Sequence, residues 1–229
     1  MAEAGVHEGV LNVVTTTDAA AVVERWLEDP RVRKLSFTGS TRLGSALLRL
    51  AAECVVNSSM ELGGNAPSIV TANADIDAAV RGAMAAKFRN AGQACTAANR
   101  FLVHASVVDE FVAKLVPAVA SLSVGLPTSG ADMGPLISHR AVSAMDELVE
   151  DALARGAVLA YQASLAEQAG SFFAPTILTD VPAAARVMNE EIFGPIVAVS
   201  TWTSESEVLA TPAGCASPSL RSPGPVRTP

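Results

Sequence analysis

The amino-acid sequence predicts an α/β protein, and three observations support this fold class. Short apolar segments alternate along the chain with longer segments in which apolar residues recur every three or four positions. The first pattern is typical of buried strands and the second of amphipathic helices, so their alternation indicates βαβ units. A turn of small residues separates a strand from a helix, and half of the 229 residues are apolar, enough for a substantial core.

The first 62 residues contain a clear strand–turn–helix order. Residues 11–15 and 34–37 are predicted strands, and residues 19–27 are a predicted helix that ends before Asp29 and Pro30. Leucines at helical spacing predict a second helix from residue 43 onward.

The turn between the second strand and the second helix is a candidate phosphate site. Its glycines would let the backbone approach a phosphate, which the free N–H groups of the helix would attract. The spacing from Gly39 to Gly44 matches neither the dinucleotide fingerprint nor the Walker A pattern. An ordinary turn, in which Ser40 or Thr41 caps the helix, is the alternative.

A single carboxylate, Glu61, stands between apolar residues just before the pair Gly63-Gly64. The glycines permit a turn of the backbone, and burial of Glu61 would suit its carboxylate to act as a general base. A solvated glutamate at the end of a strand is the alternative.

Strands and helices continue to alternate beyond residue 66. Asp75 is suited to start a helix whose apolar face repeats every four residues from Ile76 to Phe88. Ser106 and Ser138 are the predicted caps of two further helices. The remaining strands are predicted at residues 68–70, 101–103, 158–160, 176–178 and 196–199.

Cys95 follows the helix that Asp75 starts, and it lies among glycine and alanine with no large side chain beside it. A thiol that must meet a substrate needs such clearance, whereas a structural cysteine usually lies among larger apolar neighbours. By itself the segment leaves a buried structural cysteine as the alternative. Arg89, six residues earlier, is either a carboxylate ligand or a cation that stabilises the helix end.

Composition excludes several classes of function. The net charge of −7, without a basic cluster, argues against nucleic acid as a partner. Neither a signal peptide nor an apolar run long enough for a membrane is expected. Three scattered cysteines favour a reducing compartment, hence the cytoplasm, and three isolated histidines give no metal-ligand spacing.

Four segments, taken together, resemble the NAD(P)-dependent aldehyde dehydrogenases. Each is weak alone, but their order and spacing are specific. The resemblance covers roughly residues 5–210, and residues 87–93 and 98–100 look most like the succinate-semialdehyde dehydrogenase branch. The four segments are Phe37-Thr38-Gly39-Ser40-Thr41-x-x-Gly44, Met60-Glu61-Leu62-Gly63-Gly64-Asn65-Ala66-Pro67, Gly92-Gln93-Ala94-Cys95 and Glu191-Ile192-Phe193-Gly194-Pro195.

The resemblance implies an aldehyde dehydrogenase-like fold truncated at both ends. Residues 1–63 would be part of a dinucleotide-binding domain, residues 64–202 most of the catalytic domain, and residues 203–229 a short helix and a disordered tail. Family members are longer and form homo-oligomers, but the strand that pairs their subunits would be missing here. Five of the 13 prolines fall in the last 18 residues, a composition that suggests translation in a shifted frame.

The resemblance also implies catalytic roles. Cys95 would attack the aldehyde carbon, giving a thiohemiacetal and then a thioester. Glu61 would activate Cys95 or the water that hydrolyses the thioester. Arg89 would bind the carboxylate of the substrate, with succinate semialdehyde as the candidate aldehyde.

The implied cofactor is NAD or NADP. Glu191 would hold the nicotinamide ribose, and Phe193 would pack near the nicotinamide. The positions near the cofactor phosphates would be Gly39, Ser40 and Gly44.

Two other functions remain open at this stage. Cys95 and Glu61 could serve a cysteine-dependent esterase or acyltransferase, although no convincing histidine partner is apparent. A non-catalytic fragment is the other alternative, because contacts to the adenosine side of the cofactor would be missing. The isolated chain is therefore expected to bind NAD weakly and to turn over little.

Overall fold

A computed structural model describes residues 2–165 and 170–210. The chain divides into two compact units, unit 1 (Met1–Leu62) and unit 2 (Gly63–Pro229). The tail predicted to be disordered lies outside the described residues from 211 onward. The functions assigned above to the two parts of the chain stay predictions.

Unit 1 contains a short parallel sheet and two helices. A 3-10 turn at Ala2–Ala4 precedes α1 (Ala19–Leu27), and β1 (Lys34–Gly39) pairs in parallel with β2 (Asn57–Leu62) on either side of α2 (Thr41–Glu53). The predicted helix at residues 19–27 is confirmed, and Asp18 caps it by accepting from the Ala21 N–H at 3.1 Å.

The strand predicted at residues 11–15 is wrong. These residues are all exposed and are not in a strand. In the described part of unit 1, the sheet consists of β1 and β2, and neither pairs with this segment. A β-prone sequence forms a strand only when a neighbour satisfies its backbone groups.

Unit 2 is built on a five-stranded sheet in the order β3-β4-β7-β6-β5. Strands β3, β4, β7 and β6 are parallel, and β5 is an antiparallel edge strand. The strands are β3 (Pro67–Val70), β4 (Arg100–His104), β5 (Val158–Gln162), β6 (Thr176–Thr179) and β7 (Ile196–Trp202).

The helices of unit 2 begin largely where side chains can cap them. Asp75 and Ser138 cap α3 and α5 as predicted, because their side chains accept from backbone N–H groups three residues later. Ser106 does not cap α4, since its hydroxyl bonds Nδ1 of His104 at 2.8 Å and Val107 takes the cap position. The helices are α3 (Ile76–Lys87), α4 (Val108–Ala120), α5 (His139–Ala154), α6 (Arg186–Asn189) and α7 (Glu205–Ala210), with 3-10 turns at Arg89–Gly92 and Pro127–Ser129.

The core of unit 2 lies on the inner strands of its sheet, as β4 and β7 show. Phe101 and Val103 of β4, and Ile196 to Val199 of β7, have no exposed surface. Strands buried on both faces read as continuous apolar runs rather than alternating ones, and both segments have that pattern. Burial of each large apolar side chain contributes about 1.5–3 kcal/mol to the stability of the fold, so these strands are held firmly in place.

This topology brings distant segments to one edge of the sheet. Strands β3, β4 and β7 are neighbours and parallel, so the segments that precede them lie at the same end. These segments are residues 63–66, 88–99 and 190–195, and we call them the amino edge. Three of the four segments in the family resemblance lie wholly or in part at this edge.

Among the described residues, no helix is long and apolar enough to cross a membrane.

Candidate active site

The glycine-containing turn of unit 1 connects β1 to α2. Ser40 caps α2 by accepting from the Leu43 N–H at 3.3 Å, so the predicted helix cap is Ser40 rather than Thr41. Gly44 is buried, and a Cβ there would overlap the side chain of Leu62. The turn therefore leads directly into a helix N-terminus, where free N–H groups favour an anion.

Glu61 lies in β2 beside Thr38 of β1, near the same end of the strands as Gly39. Its side chain is exposed, so the burial that would have suited it as a base is absent. Glu61 belongs to unit 1 and Cys95 to unit 2. Its role as an activating base stays a prediction.

Cys95 lies at the amino edge, and its side chain is exposed and not in a disulfide. The alternative of a buried structural cysteine is therefore wrong. A turn holds the thiol at the surface, because the Ala97 N–H donates to the Ala94 carbonyl at 3.0 Å. Such a thiol is accessible to a substrate.

The chain reaches Cys95 through an uncommon backbone path. Asn90, Ala91 and Gly92 follow one another with φ of 53°, 54° and 73°, in the left-handed region. A non-glycine residue there costs on the order of 1–3 kcal/mol, which packing must offset. Ala91 is buried, and the Asn90 side chain donates to the Gln93 carbonyl at 3.0 Å.

Two further contacts fix this path. A Cβ on Gly92 would overlap the carbonyl of Gly194, so the cysteine segment lies directly on the segment before β7. The side-chain oxygen of Gln93 accepts from the Ile137 N–H at 2.9 Å, which ties it to the start of α5. The position of the thiol is thus set by contacts to residues far away in the sequence.

Glu191 lies against the glycine pair at the start of unit 2. A Cβ on Gly63 would overlap the Glu191 carboxylate, so this carboxylate packs directly against the glycine backbone. Desolvation raises the pKa of Glu191, while the Gly64 N–H and the nearby Lys87 oppose the rise. Within the described residues its Oε1 is buried without a hydrogen-bond partner.

Lys87, to which the sequence patterns assign no role, is fully buried at the end of α3. Its Nζ donates to Oδ1 of Asn99 at 2.9 Å and to the carbonyl of Ile192 at 3.3 Å. Desolvation lowers the pKa of Lys87 to about 7, and the field of Glu191 opposes that change. The signal was available, because Lys87 continues at helical spacing the buried face of Val80 and Ala83.

The remaining predicted site residues of unit 2 are exposed. Arg89 has an exposed side chain six residues before the thiol, and Phe193 is 42% exposed. The amino edge thus carries Arg89, Cys95, Glu191 and Phe193, whereas Gly39, Ser40, Gly44 and Glu61 belong to unit 1.

No group of three or more His, Cys, Asp or Glu side chains is placed to hold a metal ion within residues 2–165 and 170–210.

The fold and the motifs of the amino edge agree with the comparison to protein families. The sequence profile of the aldehyde dehydrogenase family matches residues 1–212. The chain belongs to this family, and the predicted resemblance and α/β fold class are confirmed.

Succinate-semialdehyde dehydrogenases are among the relatives that are most similar to the chain. It is 48% identical over 210 residues to the one from Paenarthrobacter nicotinovorans, covering 91% of this chain and 47% of that protein. It is 48% identical over 208 residues to Escherichia coli (strain K12) GabD, named for succinate semialdehyde and NADP(+), covering 90% of this chain and 43% of that protein.

A solved succinate-semialdehyde dehydrogenase from Burkholderia pseudomallei has the same fold, with a TM-score of 0.87 and 46% identity. The alignment covers 91% of this chain and 43% of that one. The chain therefore spans less than half the length of the relatives it matches.

Proposed function

We propose that the chain carries the thiol site of an NAD(P)-dependent aldehyde dehydrogenase, which oxidises an aldehyde to a carboxylic acid. The observation that carries this proposal is an exposed, unpaired Cys95 on a backbone path fixed by the segment of Glu191. Membership of the family supports the reaction class.

The surroundings of Glu191 suit its proposed role of binding the nicotinamide ribose of the cofactor. Its buried Oε1 has no donor within the described residues, and the hydroxyls of a ribose are donors. The absence of a side chain at Gly63 leaves room for the carboxylate. In unit 1, the turn from Gly39 to Ser40 offers free N–H groups to phosphates. NAD and NADP fit equally well.

Cys95, as the thiolate, would form a bond from its sulfur to the aldehyde carbon while the carbonyl π bond opens, giving the oxyanion of a thiohemiacetal. Its own backbone N–H would stabilise the oxyanion, a contact typically worth about 3–4 kcal/mol. The bound nicotinamide would supply the acceptor for the hydride that leaves this carbon. Glu61 would take the proton of the Cys95 thiol, or activate the water that attacks the resulting thioester and releases Cys95.

Arg89 supports an aldehyde that also carries a carboxylate. Its guanidinium is exposed at the amino edge, and its planar fork suits both oxygens of a carboxylate. Succinate semialdehyde has this chemistry, and two similar relatives are named for it. Cytoplasmic location and homo-oligomeric assembly stay predictions from the sequence and the family.

The first test is a single-turnover labelling of the purified chain. With succinate semialdehyde and NADP+, we expect a succinyl adduct on Cys95, detected by mass spectrometry of peptides. Cys54, which is also exposed and unpaired, provides the matched control. C54A should keep the adduct and C95A should lose it.

Three outcomes would contradict the proposal. Acylation of Cys54 and Cys95 to the same extent would indicate unselective chemistry. Rapid hydrolysis of an activated ester by Cys95 without dinucleotide, with no adduct from the aldehyde, would favour a cysteine-dependent esterase. A chain inert in both assays would be a non-catalytic fragment.

A further inference from the structure

Lys87 is an ionisable residue whose side chain is fully buried. Its side chain has no exposed surface, whereas Lys34 and Lys114 have solvent-exposed surface. Burial of an ammonium costs several kcal/mol unless partners compensate it. Since the proposed reaction above does not use Lys87, its location needs a separate explanation.

The amino group of Lys87 belongs to a ring of contacts that joins all three segments of the amino edge. It donates to Asn99 Oδ1 at 2.9 Å and to the carbonyl of Ile192 at 3.3 Å. Asn99 Nδ2 donates to the Gly64 carbonyl at 3.1 Å, and the Glu191 carboxylate packs directly against the neighbouring Gly63. The peptide bond between Glu191 and Ile192 closes the ring.

The partners of Lys87 suit an amine that can lose its proton. The two acceptors within hydrogen-bonding distance are neutral, and they match the two N–H groups of a neutral amine. The charged side chain whose field acts on Lys87 is Glu191. The guanidinium of Arg100, beside Asn99, donates to the carbonyl of Asn65.

We propose that Lys87 is the positioning residue of Glu191. The amino group of Lys87 holds together the ring of contacts that fixes the Glu191 carboxylate, and the protonated amino group supplies a positive charge near this carboxylate. This inference rests on the proposed function, in which Glu191 binds the ribose of the cofactor. Burial lowers the pKa of Lys87 to about 7, so that charge is present below neutral pH and absent above it. The charge on Lys87 and the state of Glu191 are then coupled.

The protonation state of Lys87 can be followed by NMR of the full chain with 15N-labelled lysine. The sequence has three lysines, so each Nζ signal can be assigned by substitution. K34M and K114M each remove one Nζ signal, and the remaining signal belongs to Lys87. We expect it to titrate near pH 7, and about half a pH unit lower or more in E191Q, which lacks the carboxylate charge. Titration near pH 10, or the same pKa in E191Q, would overturn the inference.

A double-mutant cycle on NADP+ affinity tests whether Lys87 acts through Glu191. We expect K87M to raise the Kd about fivefold, but less than about twofold in the E191Q background. K114M is the matched control and should not change the Kd, because Lys114 is a partly exposed residue of α4 that pairs with Asp77 and Glu110. Equal effects of K87M in both backgrounds would contradict a positioning role.

The two measurements separate this inference from the proposed function. If no variant binds NADP+ or NAD+, the proposed function fails, and the NMR titration still decides whether Lys87 faces Glu191. If K87M does not fold, the titration in E191Q needs no substitution at Lys87 and remains decisive. Calorimetry gives the Kd values, and far-UV circular dichroism confirms the fold of each variant.

Discussion

The two candidate binding regions are constructed in opposite ways. In unit 1, Gly39 and Ser40 follow one another at a single strand–helix turn, and their use depends on backbone N–H groups. In unit 2, the amino edge is assembled from three segments that span residues 63 to 195, and buried polar contacts join them.

This difference determines how each region responds to substitution. A substitution in the local turn of unit 1 removes one cap or one N–H group, so the resulting loss of stability should be small and confined to the turn. The amino edge depends on close approaches that leave no room for a side chain, to the backbone of Gly194 at Gly92 and to the carboxylate of Glu191 at Gly63. A single added methyl group should therefore disturb several functional residues together.

The largest expected effect tests this close approach. G92A adds a Cβ that would overlap the Gly194 carbonyl, at a residue with φ of +73°. We expect the free energy of unfolding of unit 2 to fall by about 3 kcal/mol, from strain and overpacking together. Urea unfolding followed by Trp202 fluorescence in a W26F background measures it.

G64A is the matched control for G92A. Gly64 is also at the amino edge, but a Cβ there would meet no atom within 4 Å, and its backbone bonds are kept. Its effect should stay below about 1 kcal/mol, the usual range where no special feature is disturbed. Equal losses in the two variants would show that close backbone approach does not determine stability here.

The next largest expected effect is a pH dependence of the free energy of unfolding. It comes from Lys87, whose contacts join the segments of the amino edge. Lys87 has a folded pKa of about 7 against an ordinary lysine pKa of 10.5, so the unfolded chain binds more protons between these values. Stability from this group therefore rises as pH increases through that window, by up to about 1.4 kcal/mol per pH unit. From pH 7.5 to 9 the wild-type chain should gain about 2 kcal/mol relative to K87M.

Urea unfolding of both proteins at several pH values measures this gain. K114M, compared in the same way, should keep the wild-type slope in this window, since Lys87 is intact. A K87M profile parallel to that of the wild type would show that Lys87 keeps its charge on folding.

The smallest effect belongs to the turn of unit 1. S40A removes the side chain that accepts from the Leu43 N–H, and loss of a serine cap typically costs about 1 kcal/mol. Hydrogen exchange of the first-turn amides of α2 should accelerate accordingly, with T41A as a control that keeps the cap. An S40A effect as large as that of G92A would remove the distinction between the two regions.

Sequence patterns predicted the regular elements well where the signal was local. The helix at residues 19–27 and the caps at Asp75 and Ser138 are confirmed, since apolar spacing and capping need only a few adjacent residues. The strand at residues 11–15 was wrong because strands need partners, and Ser106 was wrong because His104 takes its hydroxyl.

The sequence by itself determined the α/β class, the family and the identity of the candidate thiol, because short motifs and their order carry that information. Only the tertiary structure decided that Cys95 is exposed, that Glu61 is exposed and that Lys87 is buried. Burial and solvent access depend on which distant segments meet. At the amino edge, parallel neighbouring strands bring together residues up to 132 positions apart (63 to 195), which no local pattern specifies.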